Sequence, residues 1–429
     1  MHPAQVLKVS CFLPSFNAGE TTRGIELCHA LIAHACERGR QIAVRLAYST
    51  GEVGYEAQIT NSGLNAHRLP LNLDEQTVTS IMTADHHGGE LVSDIAKARQ
   101  FIQVIMDDIV ASLPDLVVCG FVPPGGNRGT DFAGSCCHVF TVSGIYRPWV
   151  RRHFLRDIPD DLDKAVLAAS PARVRKWLVK AVSVAMFTKG IFKQPTFAAA
   201  GRQLGWQVAH PDLFSMFASS LQLVTDLAAF YGGQDVGANT RITGPLFSLS
   251  ATSDVAPEIR HMFAPGNPNR VFVSMGSSGE RPHLLAAIEA LATIDVRAVV
   301  IVAPRICSLV EVRRALAVPP HILLTDSFVP AHEVNAIADA AIIHGEQGTV
   351  QTAVSSGTPI VVVGMQVEQS TNLDNVARRG AAIRITKRQW KAETIRRALR
   401  QVLEARTFRQ NAVRLKREYD AVDGRTEAA

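Results

Sequence analysis

The sequence predicts an α/β protein built from two Rossmann-like, doubly wound domains. Three observations predict it. Short apolar runs alternate with stretches of helical spacing, the loops between them are short, and one aperiodic stretch divides the series in two. Repeated βα units with short connections form parallel sheets covered by helices on both faces.

The first unit opens at Val6–Leu13, an apolar run ended by Pro14, as a buried parallel strand requires. A polar loop is expected over Ser15–Gly24. A helix follows over Ile25–Arg38, with Leu27, Leu31 and Ala35 at helical spacing and Gly39 at its C-terminal cap. Further strands are expected at Gln41–Ala47, Asp115–Cys119, His138–Val142 and Leu221–Val224. Between them, Arg173–Phe187 spells a basic amphipathic helix. It suits a solvated face, the lip of a pocket or a membrane surface.

Gly244–Asn269 is rich in Pro, Gly, Ser and Ala and is expected to link the domains. The domains then span 1–244 and 269–400, joined by a 245–268 linker. A charged helix and tail over 401–429 follow, with the last ten residues frayed. The second half reads as strands at Arg270–Met275, Val296–Val302, His321–Leu324, Ala340–Ile343 and Pro359–Val363. A helix over Pro282–Ala292 starts with proline. Two such sheets place a cleft at their carboxyl ends.

Composition narrows the function. Of 429 residues, 47% are hydrophobic and 19% charged, which excludes a disordered chain. A net charge of +5 spread over this length suits anionic small ligands and argues against nucleic acid. Seven cysteines without a CxxC pair fit reduced thiols in the cytoplasm. No eighteen-residue apolar run and no signal-peptide pattern occur, so no stable membrane insertion is expected.

The chemistry concentrates in His344-Gly-Glu-Gln-Gly-Thr349, continued as Val-Gln-Thr352 and closed by Gly357-Thr-Pro359. It follows a strand and opens a helix. Small Gly345 and Gly348 let backbone N–H groups face an anion at the helix N-terminus, and Thr349 adds a hydroxyl. His344 stands at the strand end. Downstream, Glu368 and Gln369 form an acidic-amide pair suited to sugar hydroxyls. Upstream, Asp326–Pro330 is a loop that suits a base, and Ser277 and Ser278 offer phosphate donors in the turn after Met275.

This combination resembles the donor-binding signature of GT-B glycosyltransferases of family 1, the UDP-glycosyltransferase superfamily that includes bacterial natural-product enzymes. The resemblance covers residues 268–385 well and the first half loosely. It implies a nucleotide-diphosphate sugar held by the C-terminal domain and a small-molecule acceptor held by the N-terminal one. His344, Gly348 and Thr349 then meet the diphosphate, Glu368 and Gln369 the sugar, and the backbone at Val329 the nucleobase. It implies metal-independent, inverting transfer without a cofactor. Asp161-Leu-Asp163 has the spacing of a metal-binding DxD, but no strand precedes it and it reads as a solvated face. Arg147 and Trp149 suit an acceptor pocket, and a homodimer stays open.

Three positions depart from the family pattern. Thr352 replaces a Glu that grips both ribose hydroxyls, which is coherent with a dTDP donor and leaves UDP open. Glu346 replaces the second Gly of the usual motif, placing a carboxylate beside the expected diphosphate. Glu20 stands where the family carries its basic His, and Gly120 where it carries the orienting Asp. Glu20 is therefore the expected base, with Asp131 and His86-His87 as substitutes. A nucleotide-sugar 2-epimerase of the same fold, or an inactive auxiliary homologue, are the alternatives.

Overall fold

The computed structural model describes residues 6–15, 18–51, 55–87, 89–120, 135–140, 171, 173–174, 177, 181, 193–205, 212, 219–232, 238–246, 254–267, 269–276, 279–365 and 367–429. The chain divides into two units, Met1–Leu246 with Asp423–Ala429, and Phe247–Val422.

The first unit holds strands β1 (Leu7–Pro14), β2 (Ile42–Gly51), β3 (Asn65–Leu73), β4 (Leu116–Cys119), β5 (Ser135–Phe140), β6 (Leu221–Val224) and β7 (Thr240–Ile242). They form one sheet in the order β3-β2-β1-β4-β5-β6-β7, with every pair parallel. β1 shows why its sequence is continuously apolar. Val9, Cys11 and Leu13 pack with Leu27 and Cys28 of helix α1 (Ala18–Glu37). Phe12 points the other way, into a core shared with Ile102 and Ile105 of α2 (Ile95–Ser112). Both faces are buried, so the period-2 alternation of a half-exposed strand is absent. Burying Phe12 alone stabilises the fold by roughly 2 kcal/mol.

α1 corrects the expected loop. It begins at Ala18 and not at Ile25, so Glu20 lies in its first turn. A carboxylate is favoured there by the positive end of the helix dipole. Gly39 does follow the helix with φ +61°, a left-handed conformation suited to glycine. β3 and β7 were not expected from the sequence. β3 is an edge strand whose buried Leu69, Leu71 and Leu73 alternate with exposed residues.

The second unit holds β8 (Arg270–Ser274), β9 (Arg297–Ile301), β10 (Ile322–Thr325), β11 (Ala340–His344), β12 (Ile360–Val363) and β13 (Ala382–Arg384). Their order is β10-β9-β8-β11-β12-β13, again parallel throughout. The expected linker contains a helix, α3 (Pro257–Met262), with proline at its start. Next come α4 (Arg281–Leu291), α5 (Ala331–Ile337), α6 (Gln347–Ser355), α7 (Val367–Arg378), α8 (Ala392–Glu404) and α9 (Arg406–Asp420). α4 and α8 bury Leu284, Ile288, Ile395 and Leu399 in one core with Val271 and Val300 of the sheet.

The last residues are not frayed. They form α10 (Gly424–Ala428), capped by Asp423, whose carboxylate accepts from the N–H groups of Arg425 and Thr426. The Thr426 hydroxyl, which donates to Asp423 Oδ2 at 2.6 Å, and these N–H groups hold the Asp423 carboxyl below its usual range. Arg425 Nη2 lies 2.6 Å from Glu26 Oε2 on α1. A β-carbon at Gly424 would overlap the backbone of Gly244 and Pro245, so only glycine allows this approach. The tail therefore belongs with the first unit.

Of the basic helix, Arg173, Val174 and Trp177 are described as helical, with Val174 and Trp177 exposed. No helix among the described residues is long and apolar enough to cross a membrane.

Candidate functional site

In a doubly wound sheet, ligands collect where the strand order reverses, outside the carboxyl ends of the strands. Each unit has one such point. In the second unit it lies between β8 and β11, where Ile343 pairs with Ser274. The residues just beyond are Gly276 on one side and His344 to Thr349 on the other.

His344 ends β11 and its side chain is 0% exposed. Its ring lies against Gly276, which has φ +57°. A β-carbon at 276 would overlap the ring, with Nδ1 3.1 Å away. His344 Nε2 is 3.0 Å from Glu346 Oε2. A carboxylate only accepts, so the proton of this bond is on Nε2. Glu346 is the N-cap of α6, yet its side chain makes no capping bond to the helix. It reaches back to the histidine instead.

Gly345 is buried against Gln369, and a β-carbon there would lie 2.7 Å from the Gln369 backbone oxygen. At Gly348 a β-carbon would meet nothing within 4 Å, so there is open space on that side of the first turn of α6. Thr349 beside it is half-buried. The first N–H groups of a helix lack partners within the helix and carry its positive dipole end.

Glu368 and Gln369 differ in role. Gln369 is buried, and its Oε1 accepts from the Met365 N–H at 2.8 Å, which ties the loop after β12 to α7. Glu368 is half-buried, and its Oε1 accepts from Asn372 at 2.5 Å. Asn372 also donates to the Gly345 carbonyl at 3.0 Å. Asn372 thus fixes both the motif loop and the acidic residue. The sequence reading passed over it, although its i+4 spacing from Glu368 on a helix would have pointed to it. Thr352 donates to the Gly348 carbonyl at 2.7 Å, so its hydroxyl serves its own helix. In the loop after β10, Val329 is buried while Phe328 is 68% exposed, an open aromatic face that suits a planar base. Ser277, Ser278, Arg147, Trp149, Asp131, Asp161 and Asp163 lie outside the described residues. His86 and His87 lie on helical backbone.

In the first unit the order reverses between β1 and β4. Here Glu20 of α1 meets Gly120, which directly follows β4. Glu20 Oε1 is 2.6 Å from Arg23 Nη1. Its Oε2 occupies the space that a β-carbon at 120 would need. The sequence positions of a missing His and a missing Asp therefore meet in space, filled by one carboxylate. Elsewhere in the same unit, Asp226 follows β6 and is buried. It accepts from the Tyr231 hydroxyl at 2.7 Å and the Leu227 N–H at 2.9 Å. Burial nonetheless pushes its carboxyl up to about 6.

Residues 286–429 match the EryCIII-like C-terminal domain, described as the C-terminal domain of erythromycin biosynthesis protein CIII-like proteins. A UDP-glycosyltransferase 2 of Phaeomoniella chlamydospora is 28% identical over 239 residues, 54% of this chain and 52% of that protein. The 4'-demethylrebeccamycin synthase of Lentzea aerocolonigenes is 30% identical over 200 residues, 46% of this chain and 45% of that one. The chain thus spans about half the length of these curated relatives. The crystal structure of glycosyltransferase VinC in complex with dTDP shares the fold, with a TM-score of 0.63 at 17% identity over 98% of this chain and 97% of that one. The chain thus shares its fold, two α/β units each with a parallel sheet, with solved glycosyltransferases, and its residues 286–429 match the EryCIII-like C-terminal domain.

Proposed function

We propose that this protein transfers a sugar from a dTDP- or UDP-sugar to a small-molecule natural-product acceptor, with inversion and without a metal cofactor. The observation that carries this reading is the switch point of the second unit. There a buried His, two glycines and the open N-terminus of α6 stand together, with Glu368 held by Asn372. A departing nucleoside diphosphate gains negative charge, and a preorganised helix N-terminus stabilises that charge as it develops. Glu20 takes the proton from the acceptor hydroxyl or amine as that group attacks the anomeric carbon.

Two features support a dTDP donor. Thr352 offers no carboxylate to ribose hydroxyls, and VinC was crystallised with dTDP. A UDP donor is supported by the name of the Phaeomoniella chlamydospora relative, a UDP-glycosyltransferase. A cytoplasmic setting fits the free thiols of Cys11, Cys28, Cys36, Cys119 and Cys307. Mass spectrometry of reactions with a panel of dTDP- and UDP-sugars and polyketide or aromatic acceptors tests the reading. An acceptor product heavier by one glycosyl unit supports it. Sugar isomerisation without acceptor, or no turnover of any donor, overturns it.

A further inference from the structure

We infer that Glu346 holds the place on His344 that a donor diphosphate needs, and that an incoming donor must displace it. The inference rests on the donor reading above and adds a competitor built into the chain. Three observations carry it.

First, among the described residues the His344 ring bonds to Glu346, at Nε2. The other ring nitrogen, Nδ1, is buried without a hydrogen-bond partner. The carboxylate holds the bond that Nε2 makes. Second, Gly276 closes over the ring from the β8 side, and His344 has no exposed surface. The ring does not swing to find a second acceptor without moving that loop. A ligand that bonds to Nε2 must take the place of the Glu346 oxygen. Third, Glu346 is 19% exposed and sits at the N-cap of α6 without capping it. Its carboxylate lies beside the positive end of the helix dipole, as a phosphate would.

The chemistry is that of two anions and one site. A carboxylate and a diphosphate oxygen both accept from Nε2–H, and both are favoured by the helix terminus. They repel each other at close range, so they do not share it. In the donor-bound state Glu346 turns toward solvent and the phosphate takes its bond. Like-charge opposition of this kind weakens binding relative to a neutral residue at 346.

The test measures affinity for dTDP and for UDP, without sugar, by calorimetry. Wild type, Glu346→Gln and Glu346→Ala are compared, with thermal melts to check folding. Both variants are expected to bind the preferred nucleotide about tenfold more tightly than wild type. Unchanged or weaker binding by folded variants overturns the inference, the first assigning Glu346 to sugar or acceptor and the second to a supporting role for His344. A variant that does not fold is set aside for the other. If wild type and both variants bind neither nucleotide, the donor reading fails and this inference with it. Structural damage loosens binding, so a gain in affinity is a result that a merely structural role does not produce.

Discussion

The carboxylate of Glu20 stands in the volume that any side chain at Gly120 would require, with its Cδ 3.2 Å from the place of the missing β-carbon. The two residues are a hundred positions apart and are joined by the pairing of β1 with β4. A small residue at 120 and a long acidic one at 20 are one solution to a single packing problem.

Gly120→Ala should therefore act through Glu20. We expect about 1–3 kcal/mol of destabilisation from overpacking. In a Glu20→Ala background the same change should cost at least about 1 kcal/mol less, because the clashing group is gone. Denaturant unfolding of the four proteins in the cycle checks this. Equal costs in both backgrounds would remove the coupling.

Glu20→Gln keeps the shape and removes the carboxylate proposed as base. Turnover should fall about 10²- to 10⁴-fold while dTDP or UDP affinity stays within about twofold. Steady-state kinetics with calorimetry on the same preparations separates the two effects. Full turnover by the variant would take Glu20 out of the chemistry.

Gly276→Ala places a β-carbon on the His344 ring at a backbone φ of +57°. Left-handed backbone costs a non-glycine residue about 1 kcal/mol, and the collision adds to that. We expect a lower melting temperature and donor-nucleotide affinity weakened about tenfold or more. Near-wild-type binding would show that the ring is free to move.

Asp226 gives the chain a pH dependence of known sign. Between the ordinary carboxylate value of 3.8 and about 6, the folded chain holds a proton that the unfolded chain has released. Stability should fall as pH rises through that window and level off above it, by about 3 kcal/mol from this residue. Asp226→Asn can keep both partners and has no charge to bury. Its urea midpoint should be flatter across the same window. An Asp226-dependent slope of opposite sign would refute the assignment.

Thr352→Glu restores an acceptor for a pair of ribose hydroxyls. We expect UDP affinity to rise relative to dTDP by about tenfold, since only the ribonucleotide offers two hydroxyls. Competition calorimetry with both nucleotides measures the ratio directly.

The parallel sheets were legible because buried strands such as β8, β9, β11 and β12 are unbroken apolar runs. β3 escaped because its polar face dilutes that signal, and the three-residue β7 and β13 are too short to carry one. The start of α1 was misplaced because its first turn is Ala-Gly-Glu-Thr-Thr, polar residues with no apolar period. At the candidate donor site the motif falls at the switch point of the second sheet. It could not show that His344 spends its proton on Glu346, that Gln369 is consumed by Met365, or that Asn372 joins two parts of the site. Those facts depend on which atoms meet in space. The tail was read as frayed from its position at the chain end, whereas Asp423, Gly424 and Arg425 give it a cap, a close approach and an ion pair.

That return of the last seven residues makes the second unit an insertion within the first. Recombining donor specificities between related enzymes by one crossover in the connecting segment would graft a foreign peptide onto α1, opposite Glu26. A chimera that respects the architecture needs two splice points, at 246/247 and at 422/423, and an isolated first unit needs its final heptapeptide restored.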